Sequence, residues 1–144
     1  MELDFQIQQE ITIFDGRNYF DLHNDFFTAD VSIHYMEKKV VWHLLGSTKD
    51  YSQDTFTGTG EEISIVFEGV NFVDTALNFD NAGHIRSLVN AIGFQPHDDP
   101  QCSWFAAPGD ELETYYFVAD FMSGDRLRVG ASSANFRANG TDQS

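Results

Sequence analysis

The chain has 144 residues, 8 of them basic and 23 acidic, which gives a formal net charge of −15 and a sequence pI near 4.3. Lys and Arg are too few and scattered to neutralise a phosphate backbone or an anionic membrane surface, so neither nucleic acid nor membrane is an expected partner. The longest apolar runs fall far short of the roughly 18 residues of a membrane span, and the single cysteine, Cys102, excludes an intrachain disulfide.

One domain is expected over residues 1–138, with 139–144 as a frayed tail; at this size a fold buries about 68–70% of the surface its unfolded chain exposes. The first residues carry neither the basic start nor the apolar run of a signal peptide, so the expected setting is the cytoplasm. Such acidity attracts a basic protein and speeds its encounter at low salt, although solubility alone also favours it.

In chain order, Phe5, Ile7, Ile11 and Ile13 fall on alternate positions among polar residues, the pattern of one half-buried strand. Asp15-Gly16 marks a turn, and the segment from Tyr19 to Leu22 returns as a second strand. The segment from Val31 to Gly46 reads as the central hairpin: two β-branched and aromatic runs flank Glu37-Lys38-Lys39. A two-residue loop (Glu37, Lys38) or a four-residue loop (Met36 to Lys39) sets Tyr35 against Val40, Ile33 against Trp42 and Val31 against Leu44 on one apolar face. A three-residue loop would set Ile33 against His43 and is rejected.

The polar stretch from Gly46 to Gly60 shows neither helical nor strand period and reads as a long functional loop. Ile63, Ile65 and Phe67 alternate in the next strand, which Gly69 ends or bulges, and Val70 to Phe79 is ambiguous. Asn81 to Phe94 is the predicted helix, over about 82–92. Ile85, Leu88, Val89 and Ile92 form its stripe, Asp80 or Asn81 its N-cap, and Gly93 lies just past its end. Gln95 to Leu112 holds all three prolines, Cys102 and Trp104, and reads as a second long loop. A closing hairpin follows, in which the loop Ser123-Gly124-Asp125 aligns Phe121 with Leu127, Ala119 with Val129, Phe117 with Ala131 and Asp120 with Arg128. The sum is an α+β, β-rich fold: a single antiparallel sheet of about six strands, twisted or partly sandwich-like, with the amphipathic helix packed against it.

Several constellations bear on chemistry. In the hairpin register above, His34 and His43 lie diagonally on the face away from Trp42, about 7–8 Å apart. Two histidines on a rigid sheet begin a transition-metal site, which His23, His84, Asp21 or Asp25 would have to complete; ordinary polar side chains give the same pattern. His97, with Asp98 and Asp99, precedes Cys102 by five residues, as a base would precede a thiol nucleophile, but nothing in the spacing fixes their geometry. The stretch after Asn78 fails as a calcium loop, having Val89 where a bidentate glutamate belongs, and Thr57-Gly-Thr-Gly-Glu-Glu lacks the lysine and helix of a phosphate loop. Asp50, Tyr51, Asp54 and Phe56 in the first long loop, and Asp98, Asp99 and Trp104 in the second, set aromatic anchors among carboxylates. That combination suits an interface to a basic protein, while aromatics in loops also tuck back into cores.

No catalytic motif emerges and no cofactor is expected. The leading reading is a non-enzymatic, acidic protein-interaction domain, of inhibitor or immunity type, that binds a basic partner such as a nuclease. The alternative is a small-molecule or metal-binding domain, a hydrolase among them, using the His34/His43 face. The third is a structural subunit that forms a homodimer through its sheet edges.

Overall fold

Val40, Trp42 and Leu44, and again Ile63, Ile65 and Phe67, are spaced so that every apolar side chain of a strand falls on one face. In the computed structural model both runs are central strands with those residues fully or almost fully buried. The structure describes residues 1–50, 52–53, 55–75, 87–107 and 109–138. Within them lie β1 (Glu2–Leu3), β2 (Gln6–Gln8), β3 (Thr12–Phe14), β4 (Tyr19–Asp21), β5 (Phe26–His34), β6 (Lys39–Asp50), β7 (Thr55–Glu68), β8 (Phe72–Asp74), β9 (Val89–Pro96), β10 (Tyr115–Phe121), β11 (Arg126–Gly130) and β12 (Ser133–Ala138). A five-stranded sheet runs β1-β12-β7-β6-β5, a four-stranded sheet β8-β11-β10-β9 and a three-stranded sheet β2-β3-β4. The pairing of β1 with β12 is parallel and the others are antiparallel.

Aromatic side chains join the sheets. Trp42 on β6 meets Phe117 and Phe121 on β10, each at 5.9 Å between ring centroids, and Phe67 on β7 meets Phe117 at 5.1 Å. These distances lie in the range where tilted and edge-to-face rings attract. The indole Nε1–H of Trp42 donates to the Thr28 hydroxyl at 3.0 Å, so the one polar atom of the ring is satisfied inside the core. The small sheet plugs one end, with Phe20 against Phe26 and Phe136. Ile13 and Leu22 are fully buried beneath it.

The expected α+β fold with a single sheet is overturned: the described chain is almost entirely β and contains no α-helix. Of the predicted helix, residues 81–86 lie outside the described residues, and the remainder does not form one. Val89–Pro96 is strand β9, paired antiparallel with β10 from Val89 opposite Phe121 to Pro96 opposite Tyr115. The physical reason lies in how many neighbours the segment has. Val89, Ile92, Gly93, Phe94 and Gln95 are all buried, because β9 is covered on both faces, and a strand buried on both sides loses the alternation that distinguishes it from a helix. The expected tail at 139–144 and residues 76–80 also lie outside the described residues.

Both hairpins fold with the expected faces but in registers shifted by two residues. Ile33 pairs with Val40 and Val31 with Trp42, so the four-residue loop is Tyr35 to Lys38, with Lys38 at φ +52° and Tyr35 exposed. In the closing hairpin Ala119 pairs with Leu127, Phe117 with Val129 and Asp120 with Arg126. A two-residue slip preserves which side each residue faces, so alternation alone could not distinguish the two registers. The stretch from Gly46 to Gly60 is not a long loop: Ser47 to Asp50 pair with Gly58 to Thr55, and the hairpin projects as a two-stranded ribbon.

The N-terminal stretch read as one strand is itself a hairpin, with Ile7 opposite Ile13. Its turn places Gln9 at φ +53° and Glu10 at φ +60°, two left-handed residues in succession, as in a type I′ turn. Neither residue favours that region. The turn is held from outside, since Ile92 N–H donates to the Glu10 carbonyl at 2.7 Å. Gln9→Asn with Glu10→Gly is expected to raise the thermal midpoint by the equivalent of about 1–2 kcal/mol, because it removes backbone strain while leaving that carbonyl in place. A lower midpoint in calorimetry would show that the native side chains support the turn.

Candidate functional site

The segment after β9 leaves the sheet at Pro96 and returns at Tyr115. His97 opens it with two bonds to the Thr114 carbonyl, from its backbone N–H at 3.0 Å and its ring Nδ1–H at 2.6 Å. Cys102 is buried; its backbone N–H donates to the Asp99 carbonyl and its thiol to the Trp104 carbonyl at 3.2 Å. Phe105 lies against Gly93, so closely that a Cβ there would stand 2.4 Å from its ring, and Ala106 N–H donates to the Phe94 carbonyl at 2.8 Å. Within the segment Asp110 accepts the Ala107 N–H at 2.8 Å. These bonds tie the described parts of the loop to the sheet at several points.

Trp104 is 52% exposed and stands at 6.5 Å, nearly edge-on, from Tyr115. Asp98, Asp99, Asp110, Glu111 and Glu113 are all exposed on the same loop. No Lys or Arg occurs from Ser87 to Asp125. The structure therefore places Asp98, Asp99 and Trp104 on one loop. Asp50 stands apart at the tip of the β6–β7 ribbon; Phe56 is in β7 across from Lys49, and Tyr51 and Asp54 lie outside the described residues. The side chain of Ser52 donates to Asp50 at 2.6 Å and, with backbone donors nearby, holds the Asp50 carboxyl below its ordinary pKa.

Four of the eight basic side chains are committed within the fold. Arg126 Nε–H donates to Asp120 at 2.6 Å, Arg137 reaches Asp4 at 3.2 Å, and Arg128 lies 4.0 Å from Asp74 with its guanidinium 5.3 Å from the Phe72 ring centroid. Lys49 donates to the His23 and Phe26 carbonyls, each at 3.1 Å. Burial pushes its pKa down, against the opposing pull of Asp25 and Asp21. With these four cations tied to particular partners and no Lys or Arg on the loop itself, the exposed carboxylates of the loop set its local field.

The histidines do not converge. The two-residue shift sets His34 opposite Lys39 and His43 opposite Asp30, four positions apart along the strands, or about 13 Å. His43 is flanked instead by carboxylates, Asp30 at 3.7 Å from Nδ1 and Glu62 at 3.9 Å from Nε2. His23 donates through Nδ1 to the Val89 carbonyl at 2.5 Å, a structural role. Among the described residues no group of three or more His, Cys, Asp or Glu side chains is disposed to hold a metal ion. His97 is turned to Thr114 and the Cys102 thiol to Trp104, each occupied by a backbone carbonyl.

Sequence reasoning missed a cavity of about 580 Å³ at the root of the ribbon, lined by Phe20, Asp25, Phe26, Ser47, Glu61 and Glu62 among others. It opens where the pairing steps from Leu45 opposite Glu62 to Ser47 opposite Gly58, so that β7 carries two more residues than β6. Gly46 and Gly60 were the available signals. A Cβ at Gly46 would stand 2.3 Å from the Thr59 hydroxyl, and Gly60 adopts φ +85°.

Fold and surface together define, over the described residues, an almost entirely β protein of packed sheets with exposed acidic loops. No protein family, curated protein or solved structure matches the chain. No helix among the described residues is long and apolar enough to cross a membrane.

Proposed function

We propose that the protein is a non-enzymatic interaction domain, of inhibitor or immunity type, which binds a basic protein such as a nuclease through the loop between β9 and β10. The observation that carries this reading is a loop, bonded to the sheet on either side of Trp104, on which a half-exposed tryptophan and five exposed carboxylates occur together. A rigid aromatic anchor loses little entropy on binding, and surrounding charges of one sign steer a partner of the other. Of the six edge strands, β1, β2, β4 and β8 have only two or three residues, β9 already bonds Glu10 through Ile92 and Ala106 through Phe94, and β5 is bulged after Thr28 with Asp30 exposed, features that discourage edge pairing.

Trp104→Ala is expected to weaken partner capture by the equivalent of ~2 kcal/mol or more, as truncation of a central anchor does. Asp98→Lys with Asp99→Lys is expected to slow association and flatten its salt dependence, while the distant Glu2→Lys leaves both unchanged. The measurement is capture of basic proteins from lysate of the source cell by the tagged chain at low and moderate salt. Retention of the same proteins at parental strength by both loop variants would remove the loop as the interface.

A further inference from the structure

We infer that the cavity at the root of the ribbon seats an ammonium or guanidinium group carried on an apolar stem. Three observations converge on that chemistry. Ser47 in the cavity wall is only 4% exposed, and its hydroxyl is buried with no hydrogen-bond partner. A buried hydroxyl left unpaired is costly, so its survival in a folded protein marks a place where a donor can arrive from outside. Asp25, Glu61 and Glu62 line the same cavity and are exposed to incoming solute, and its lining includes no Lys or Arg. The remaining wall includes Phe20, Phe26 and Ile63, which offer a methylene stem an apolar surface and a cation an aromatic face.

The neighbouring cation does not fill this role. Lys49 Nζ is already committed to the His23 and Phe26 carbonyls, and the cavity lining does not include it. An anion is disfavoured by the three carboxylates, and a bare metal ion would find no cluster of ligating side chains among the described residues. An ammonium or guanidinium instead brings several N–H donors, enough to satisfy Ser47 and a carboxylate together. Such a group has two sources: a lysine or arginine of a basic partner, or a free polyamine. For a partner-borne side chain the inference rests on the interaction reading above; for a free amine it stands alone.

The test is an amide-shift titration of the full chain with n-butylamine, agmatine and spermidine, and with n-butanol as the neutral control of the same stem. The amines are expected to give saturable shifts at Ser47, Thr48, Glu62 and Ile63, and n-butanol none. Ser47→Ala is expected to weaken amine binding about fivefold while raising the thermal midpoint, since it removes both a ligand contact and an unpaired hydroxyl. Glu61→Gln with Glu62→Gln is expected to weaken it as well, without moving the midpoint. Spermidine binding far more tightly than n-butylamine and agmatine would assign the seat to a free polyamine; comparable affinities would assign it to a side chain. Non-saturable shifts, equal shifts with n-butanol, or unchanged affinity in Ser47→Ala would overturn the inference. Trp104→Ala leaving partner capture intact would overturn the loop interface instead, whatever the amines do.

Discussion

Trp42→Ala is expected to lower the free energy of unfolding by about 3–5 kcal/mol, the largest effect of any single truncation considered for this fold. Trp42 is fully buried in β6, touches Phe117 and Phe121 of the facing sheet, and closes its own polar atom on Thr28. Removal takes away a large apolar area, opens a void at the centre of the sheet contact and leaves the Thr28 hydroxyl without its donor. Against a total stability of about 5–15 kcal/mol for an ordinary domain, the variant would stand near the folding threshold. Trp42→Phe separates the terms, keeping most of the volume and losing the hydrogen bond, at about 1–3 kcal/mol. Urea unfolding of both variants measures the difference. A cost below ~1 kcal/mol for the alanine variant would show that the ring is not what joins the sheets.

Gly93→Val is expected to detach the loop between β9 and β10 without dismantling the sheets. Gly93 pairs with Val118 midway along β9, the edge strand of the four-stranded sheet, and the space a Cβ would occupy already holds Phe105, with ring carbons at 2.4 Å and its own Cβ at 2.8 Å. Close contact with a ring and a Cβ leaves no flexible end to swing aside, so the whole residue must lift. The Ala106 N–H to Phe94 carbonyl bond then breaks, and the platform beneath Trp104 is lost. Overpacking of this kind costs about 1–3 kcal/mol. Hydrogen exchange reads it directly: the Ala106 amide is expected to lose protection while the amides of Ile65 and Trp42 keep theirs. Partner capture should fall as in Trp104→Ala. Undiminished protection at Ala106 would mean that the sheet yields and the loop does not.

What the sequence revealed and concealed follows from the physics of periodicity. The alternation in Val40, Trp42 and Leu44 identified the core face because one side of β6 is wetter than the other. It could not choose between registers two residues apart, since both place the same side chains inward. That ambiguity decided the candidate metal site: the observed register moves His34 away from His43, which then lies between Asp30 and Glu62. Around Val89 the signal misled, because a strand covered on both faces reads as a run of apolar residues, and Leu88, Val89 and Ile92 also fit a helical stripe. The polar ribbon was unreadable as strand because Thr48, Asp50, Thr57 and Thr59 are exposed and show no apolar alternation, and its pairing is recorded only in the backbone. That Asp98, Asp99 and Trp104 share one exposed loop was legible, since the segment that holds them lacks any strand or helix period. The cavity was not, because Ser47, Asp25 and Glu61 come together only through the bulge.

The two ends of the described chain meet. Glu2 and Leu3 lie parallel to Ser133 and Ala134, and Asp4 accepts from the Phe136 backbone and from Arg137 across 132 and 133 positions. On the ribosome, at about 5–20 residues per second, the first strand therefore waits roughly 7–26 s for its partner to be made. During that interval Phe5 lacks the cover of Phe136, whose ring stands 6.5 Å from it between centroids in the folded chain. Long-range closure of this kind slows folding, since the loop entropy must be spent before the contact returns any of it. The acidity spread along the chain acts in that window, where mutual repulsion between nascent chains keeps uncovered aromatic surface from finding a copy of itself.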